Sequence, residues 1–216
     1  MTIVTKHITV ADDGLILTNQ RAIYWDTQKA LILSDLHIGK TAHFRRHGIP
    51  VPDDILQKDL ERLQQLIRHF KAKQLLIVGD LFHAENNVDM STFESWLAQF
   101  TSLEVTLIKG NHDRQSHLFM EKMNIKVESE LFLKPYFFVH EPGESNSDKF
   151  TISGHLHPGI LIKGKGRQRL KLPCYLVASN RIILPAFSLF TGLHIIDIPE
   201  HSICFPFTES QIFEFN

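Results

Sequence analysis

The residues of this chain best suited to chemistry are Asp35 and His37 in SDLH, Asp80 in GDLFH, Asn111 and His112 in GNHD, His140 in VHE, and His155 and His157 in GHLH. Carboxylates offset the charge of a divalent cation, and imidazoles hold borderline metals such as Mn²⁺, Fe²⁺ or Zn²⁺. An Asn side chain adds a neutral oxygen ligand. Two cations side by side clamp a phosphate, lower the pKa of a shared water and stabilise the leaving oxygen of an in-line displacement. A two-metal phosphoester-cleaving site is the reading that uses the whole set. The leaving group still needs a proton. His112, beside Asn111 and followed by Asp113, fits a general acid whose second ring nitrogen is oriented by a carboxylate.

Each motif begins where an apolar run stops: ALIL (30–33), LLIV (75–78), VTLI (105–108), FFV (137–139) and FTIS (150–153). Short runs of this kind read as buried strands. Ligands of open α/β sheets bind beyond the carboxyl ends of the strands, so these side chains converge at one sheet edge. Asp35 and His37, two residues apart, point to the same side if the backbone is extended. His155 and His157 do so on the same condition, whereas a turn there would send them to different metals. Asp80, at its strand end, is the natural bridging carboxylate.

The elements that must position these residues are also readable. Residues 3–10 and 15–25 predict two strands joined at Asp12-Asp13-Gly14. Pro52-Asp53-Asp54 opens a helix whose apolar positions Ile55, Leu56, Leu60, Leu63, Leu66, Ile67 and Phe70 keep a 3.6-residue period. A second helix is expected from Ser91, with Glu94 completing a capping box, and a short third over 114–123. Short β-like runs follow at 126–133, 136–140, 150–153, 160–162, 168–172, 175–178, 181–184, 193–198 and 202–207, with a polar, mobile loop at 142–148. A parallel first half and an antiparallel second half predict an α/β fold of two packed sheets with helices outside, in one domain over residues 1–216.

At 216 residues, 43% hydrophobic and 22% charged, the chain suits one sizeable α/β domain. A formal net charge of −1 argues against holding nucleic acid by bulk electrostatics, so any such role must rest on local patches. Cys174 and Cys204 form no CxxC, which argues against a disulfide framework and a zinc ribbon. The N-terminus alternates apolar and polar residues without a signal-peptide core, and no run has the length of a membrane span. A cytoplasmic protein is expected.

Two basic segments bear on substrate. Lys40, His43, Arg45, Arg46 and His47 follow the first motif on a loop that starts at the metal edge. They form either a rim gripping a phosphodiester backbone or a solvated surface. In KGKGRQRLK (163–171), period two puts Arg167, Arg169 and Lys171 on one strand face and Leu170 and Leu172 on the other. Such a strand could track DNA, or its charge could protect a sheet edge. Phe187 and Phe190 belong to a loop expected to shape the pocket wall, where they could stack on a base or sugar.

SDLH, GDLFH, GNHD, VHE and GHLH in this order resemble the calcineurin-like metallophosphoesterase superfamily over roughly residues 30–160. KTAHFRRHGIPVP (40–52) and PAFSLFTG (185–192) are similar to the bacterial ligase-associated DNA damage response endonuclease or phosphoesterase group, PdeM. The resemblance implies a metallophosphoesterase-type sandwich of two mixed β-sheets flanked by helices. It implies two divalent metal ions, usually Mn²⁺, with Fe, Zn or Mg as alternatives. The first would take Asp35, His37, Asp80 and His157, and the second Asp80, Asn111, His140 and His155, with His112 as the acid. The substrate implied is nucleic acid, above all DNA, with DNA ligase or helicase repair partners. GDLFH departs from the commoner GDxxD/E run, which leaves His83 open as a substrate contact, a partner orienting a ligand, or a polar residue at a helix start. A hydrolase of small nucleotides or pyrophosphates is the alternative enzyme. An interaction scaffold is a third reading, though no expected ligand is missing.

Overall fold

The computed structural model describes residues 2–83, 88–115, 117–143 and 149–215. The loop expected at 142–148 therefore lies, from 144 to 148, outside the described residues. The chain begins with β1 (Thr5–Val10), β2 (Asp13–Thr18), β3 (Ile23–Trp25) and β4 (Ala30–Leu33). Next come α1 (Lys40–Arg46), α2 (Ile55–Phe70), β5 (Gln74–Val78), α3 (Val88–Leu97), β6 (Glu104–Ile108), α4 (His117–Lys122) and β7 (Ile125–Glu128). These strands form one sheet in the order β1-β2-β3-β4-β5-β6-β7, antiparallel as far as β4 and parallel from β4 to β7.

β8 (Leu131–Leu133), β9 (Tyr136–Phe138), β10 (Phe150–Ser153), β11 (Pro158–Lys163), β12 (Arg169–Ala178), β13 (Arg181–Ile183), β14 (His194–Ile195) and β15 (Ile203–Pro206) build the other sheet. Its order is β14-β11-β12-β13-β10-β9-β8, with β15 also paired to β12. Because β9–β10, β10–β13 and β11–β14 pair in parallel, this half is mixed rather than antiparallel as expected.

Parallel strands covered on both faces explain the unbroken apolar runs. Along β4 and β5, Ala30, Ile32, Leu76 and Val78 face the second sheet and pack with Tyr136, Phe138, Ile152 and Tyr175. Leu31, Leu33, Leu75 and Ile77 face the other way, onto Leu63 and Leu66 of α2 and Phe93 and Trp96 of α3.

Four local expectations are corrected. The run 15–25 is two strands, because Arg21 takes a left-handed turn (φ 65°) and Thr18 Oγ1 bonds the Ala22 carbonyl at 2.7 Å. Residues 40–46 are helical rather than a loop, the first turn closing through His43 N–H to the Gly39 carbonyl at 2.9 Å. α3 already runs from Val88, so Ser91 lies inside it instead of capping it. Residues 126–133 divide between the sheets, β7 joining the first and β8 the second.

Candidate metal centre

Where the chain leaves the strands it turns abruptly. Asp35 (φ 57°), His37 (φ 50°), Asp80 (φ 52°), His155 (φ 68°) and His157 (φ 49°) all adopt the left-handed region. Non-glycine residues held there cost about 1–3 kcal/mol each, and such residues gather at functional sites. The extended backbone expected between Asp35 and His37 is therefore absent. The left-handed turns themselves bring Asp35 Oδ1 and His37 Nε2 to 4.0 Å. Adjacent turns are stitched together: Asp35 N–H donates to the Gly79 carbonyl at 3.0 Å, His37 N–H to Asp80 O at 2.9 Å, and Ile38 N–H to Leu81 O at 2.8 Å. Three glycines leave room for the ligands. A Cβ on Gly79 would lie 2.0 Å from His140 Nδ1, one on Gly110 2.2 Å from Asp80 Oδ1, and one on Gly154 2.8 Å from Asp35 Oδ2.

The side chains converge in two groups that share Asp35. In one, Asp35, His37 and His157 bring a ligand atom each to within 4.8 Å of the others; in the second, Asp35, Asp80 and His140 do the same. Asp35 Oδ1, His37 Nε2 and His157 Nε2 are buried without a hydrogen-bond partner, although Asp35 Oδ1 and His157 Nε2 are 3.0 Å apart. Each buried group left unpaired costs about 1–3 kcal/mol. Inward-turned carboxylate and imidazole atoms without partners are the donor set of a divalent cation, so the residues fit the metal.

The second group is arranged around His140. Its Nδ1 meets the Val78 carbonyl at 2.9 Å, which aims Nε2 inward. Nε2 lies 3.4 Å from Asp80 Oδ1, 3.2 Å from Asn111 Oδ1 and 3.3 Å from His155 Nδ1. His155 and His157 thus sit in a turn and serve different groups, the second of the two arrangements the spacing allowed.

Charge follows geometry. Burial disfavours the Asp80 carboxylate, but the His140 hydrogen bond and charge and the His112 N–H hold its pKa down at about 2. Desolvation, helped by Lys40, drives His37 to about 3 despite Asp35, leaving a neutral ring. Burial would also lower His140, yet the Asp80 hydrogen bond and the charges of Asp35 and Asp80 lift it to about 9 in the metal-free protein.

The Calcineurin-like phosphoesterase family profile matches residues 29–176. This chain belongs to that family. Among solved structures, a Pseudomonas putida nuclease, MPE, superposes with a TM-score of 0.83 at 30% identity, covering 98% of this chain and 100% of the nuclease. YfcE, an Escherichia coli phosphoesterase, gives a TM-score of 0.44 at 15% identity over 82% of this chain and 87% of its own. No curated protein matches the sequence. The chain is thus a metal-dependent phosphoesterase, from a family that binds two divalent metals.

Other candidate residues of the phosphoesterase are placed less uniformly. Asp113 is buried, and its carboxylate accepts three backbone N–H groups: Asp80 at 2.8 Å, Phe82 at 2.9 Å and Gly110 at 2.9 Å. That corrects its expected role of orienting His112, because these donors occupy the carboxylate and make it a brace between two turns. His112 opens to solvent with Nε2 4.0 Å from Asp80 Oδ2. His83 lies beside it, the rings tilted by 35° with centroids 4.8 Å apart, and is 5.6 Å from His37, so it faces the centre. Burial and the neighbouring His112, Lys40 and His43 lower its pKa to about 4. Lys40 feels both Asp35 and Asp80, and His43 lies 5.9 Å from His83. Arg46 is exposed, but Arg45 is paired with Asp53 at 3.3 Å and Asp89 at 3.8 Å, which ties it to protein carboxylates instead of a free rim. Arg167 and Arg169 lie at the far end of the β11–β12 hairpin that starts after His157. Phe187 is fully buried beneath the Arg62 guanidinium, 4.1 Å from its centroid, and is unavailable for stacking. Phe190 packs edge-on to Phe44 of α1.

Sequence reasoning missed a support behind the centre. Arg21 donates to the carbonyls of Ala186 and Ser188 at 3.1 and 2.8 Å. Arg62 bonds Asp59 at 3.0 Å and also the Phe187 carbonyl, while Asp59 receives the Leu189 N–H at 3.2 Å. The strap held this way reaches the metal edge through Phe187 N–H to Ser34 O at 2.8 Å and Ser188 N–H to Asp35 O at 3.2 Å. One signal was available: Asp59 and Arg62, spaced i, i+3, interrupt the apolar face of α2.

Proposed function

We propose that residues 1–216 form one phosphoesterase domain that hydrolyses phosphodiester bonds in nucleic acid, with DNA the favoured substrate and Mn²⁺ the favoured metal. The observation that carries this reading is the complete ligand set, with buried donor atoms of Asp35, His37 and His157 lacking any hydrogen-bond partner. The likeness to a nuclease across nearly the whole chain supports the substrate class. One cation would be held by Asp35, His37, Asp80 and His157, and the other by Asp80, Asn111, His140 and His155. When bound, the pair supplies Lewis acidity toward the phosphate and an activated water.

The chain's own residues do the rest. His112, at the open side of the site, donates a proton from its ring to the leaving oxygen, while Asp113 fixes the turn that carries it. Lys40 and His83 face the centre and bind non-bridging phosphate oxygens. A DNA-repair setting in the cytoplasm, alongside a DNA ligase or helicase, belongs to the same proposal and rests on family resemblance. The net charge of −1 favours a second reading, a small nucleotide or pyrophosphate as substrate.

The test is turnover of p-nitrophenyl phosphodiesters and monoesters and of DNA and RNA oligonucleotides with Mn²⁺. His112→Ala should slow esters with poor leaving groups more than those with good ones. Equal slowing of both would remove the acid role, and cleavage of nucleotides but not oligonucleotides would favour the second reading.

A further inference from the structure

The β11–β12 hairpin leaves the metal edge directly after His157 and ends in a segment carrying Lys163, Lys165, Arg167, Arg169 and Lys171 with no acidic residue. The whole chain has a net charge of −1, so this concentration is local. Pairing of Lys163 with Arg169 and of Leu161 with Lys171 puts three of the cations on one face of the ribbon. On the opposite face, Ile160, Ile162 and Leu172 pack with Ile196 and Ile198. Leu170 shares that inner face but lies beyond the cluster, and is 52% exposed.

The outer rungs form a free ribbon. β14 meets β11 only at Pro158 and Gly159, whereas β13 and β15 meet β12 from Cys174 onward. Among the described residues, no third strand pairs with the rungs from Ile160–Leu172 to Lys163–Arg169, and none of the five cations forms an ion pair. Charge on an edge strand can serve to block pairing with another sheet, but that role does not require the cations to gather at the end of a hairpin rooted at the metal edge. Five cations without a counter-charge, on a ribbon rooted at a phosphate-cleaving centre, are complementary to a polyanion that continues beyond that centre.

We propose that this ribbon is an electrostatic arm gripping the nucleic-acid backbone at a distance from the bond being cut, an inference that rests on the nucleic-acid reading above. From Pro158 to Lys163 the strand advances five steps of about 3.3 Å, or about 17 Å. At 3.4 Å per phosphate, the rise a strand keeps while its bases stay stacked, that is about five nucleotides. The arm therefore sets a length threshold. Substrates shorter than about five nucleotides cannot engage it.

The test compares the wild-type chain with the triple variant Lys163→Ala, Arg169→Ala, Lys171→Ala, the three cations that share one face of the ribbon. Binding of a fluorescein-labelled single-stranded 20-mer is followed by anisotropy across a salt series, and kcat/KM is measured for the 20-mer and a 4-mer with Mn²⁺. At about 0.7 per phosphate contact on a single strand, removing three contacts should flatten the log K against log salt slope by about 2. The 20-mer to 4-mer ratio of kcat/KM should fall at least tenfold. A wild-type slope and ratio in the variant would overturn the arm, as would equal losses on both lengths. A wild-type chain whose 20-mer binding depends on the arm but which cuts no nucleic acid would uphold the arm and refute the nuclease reading. Failure to bind the 20-mer at all would refute the arm.

Discussion

Gly79→Ala is the smallest change that should disable half of the centre. The backbone there has φ +81°, and an added Cβ would lie 2.0 Å from His140 Nδ1 and 2.2 Å from its Cγ. Holding an L-residue in the left-handed region costs about 1–2 kcal/mol. The His140 ring must also move, breaking its 2.9 Å bond to the Val78 carbonyl, for about 1 kcal/mol more. Gly48→Ala isolates the first cost, because Gly48 has φ +76° with nothing within 4 Å of its Cβ position. Thermal unfolding should therefore place Gly79→Ala below Gly48→Ala by about 2–4 °C, as expected for about 1 kcal/mol in a chain of this size. Calorimetric Mn²⁺ titration should show one of two sites weakened by about 10–100-fold in Gly79→Ala, the usual result of losing a ligand's orienting partner, and both intact in Gly48→Ala. Two wild-type sites in Gly79→Ala, together with a melting temperature equal to that of Gly48→Ala, would refute the reasoning.

Asp113→Asn should cost about 1.5–3 kcal/mol, since three backbone N–H groups lose a charged acceptor. If Asp113 braces the turn independently of the His112 ring, its effect on kcat and that of His112→Ala should add in the double variant; strong non-additivity would restore the orienting role. In the metal-free protein, the raised pKa of His140 contributes stability that is complete below its ordinary 6.5 and is lost as pH rises through about 9. Apoprotein melting temperature should fall across that window while Mn²⁺ affinity climbs, because metal displaces the proton; a flat profile in both would remove the His140–Asp80 interaction. Arg62→Met breaks a buried pair with Asp59 and should cost about 3–5 kcal/mol. Thermal unfolding checks it, and a loss under 1 kcal/mol would mean that the strap over Ser34 and Asp35 holds without it.

The ligand positions were legible because β4, β5 and β6 are covered on both faces. The runs ALIL and LLIV are apolar throughout, VTLI is broken only by Thr106, and all three stop where the turns begin, so Asp35, Asp80 and Asn111 announce the sheet edge. The turns themselves were not legible. Left-handed backbone at Asp35 and His37 is stabilised by carbonyls of residues 79 and 80, and no local pattern records that pairing. Asp113 misled for a related reason. Its neighbour His112 suggested a partner, while the unsatisfied N–H groups that claim its carboxylate belong mostly to another turn. α1 escaped recognition because KTAHFRR buries only Thr41 and so shows no apolar stripe. The Arg62 bond to Phe187 spans 125 residues, beyond any sequence window.

Mn²⁺ stoichiometry and diester turnover, measured together on the wild-type chain and Asp80→Asn, test the two-metal account most directly. The account predicts two Mn²⁺ per wild-type chain with metal-dependent phosphodiester hydrolysis. In Asp80→Asn at least one site should be weakened and turnover should fall at least 100-fold, roughly the upper end of what disturbing a metal site's support costs. Wild-type turnover in Asp80→Asn, or diester hydrolysis that persists in the wild-type chain after chelation, would contradict it.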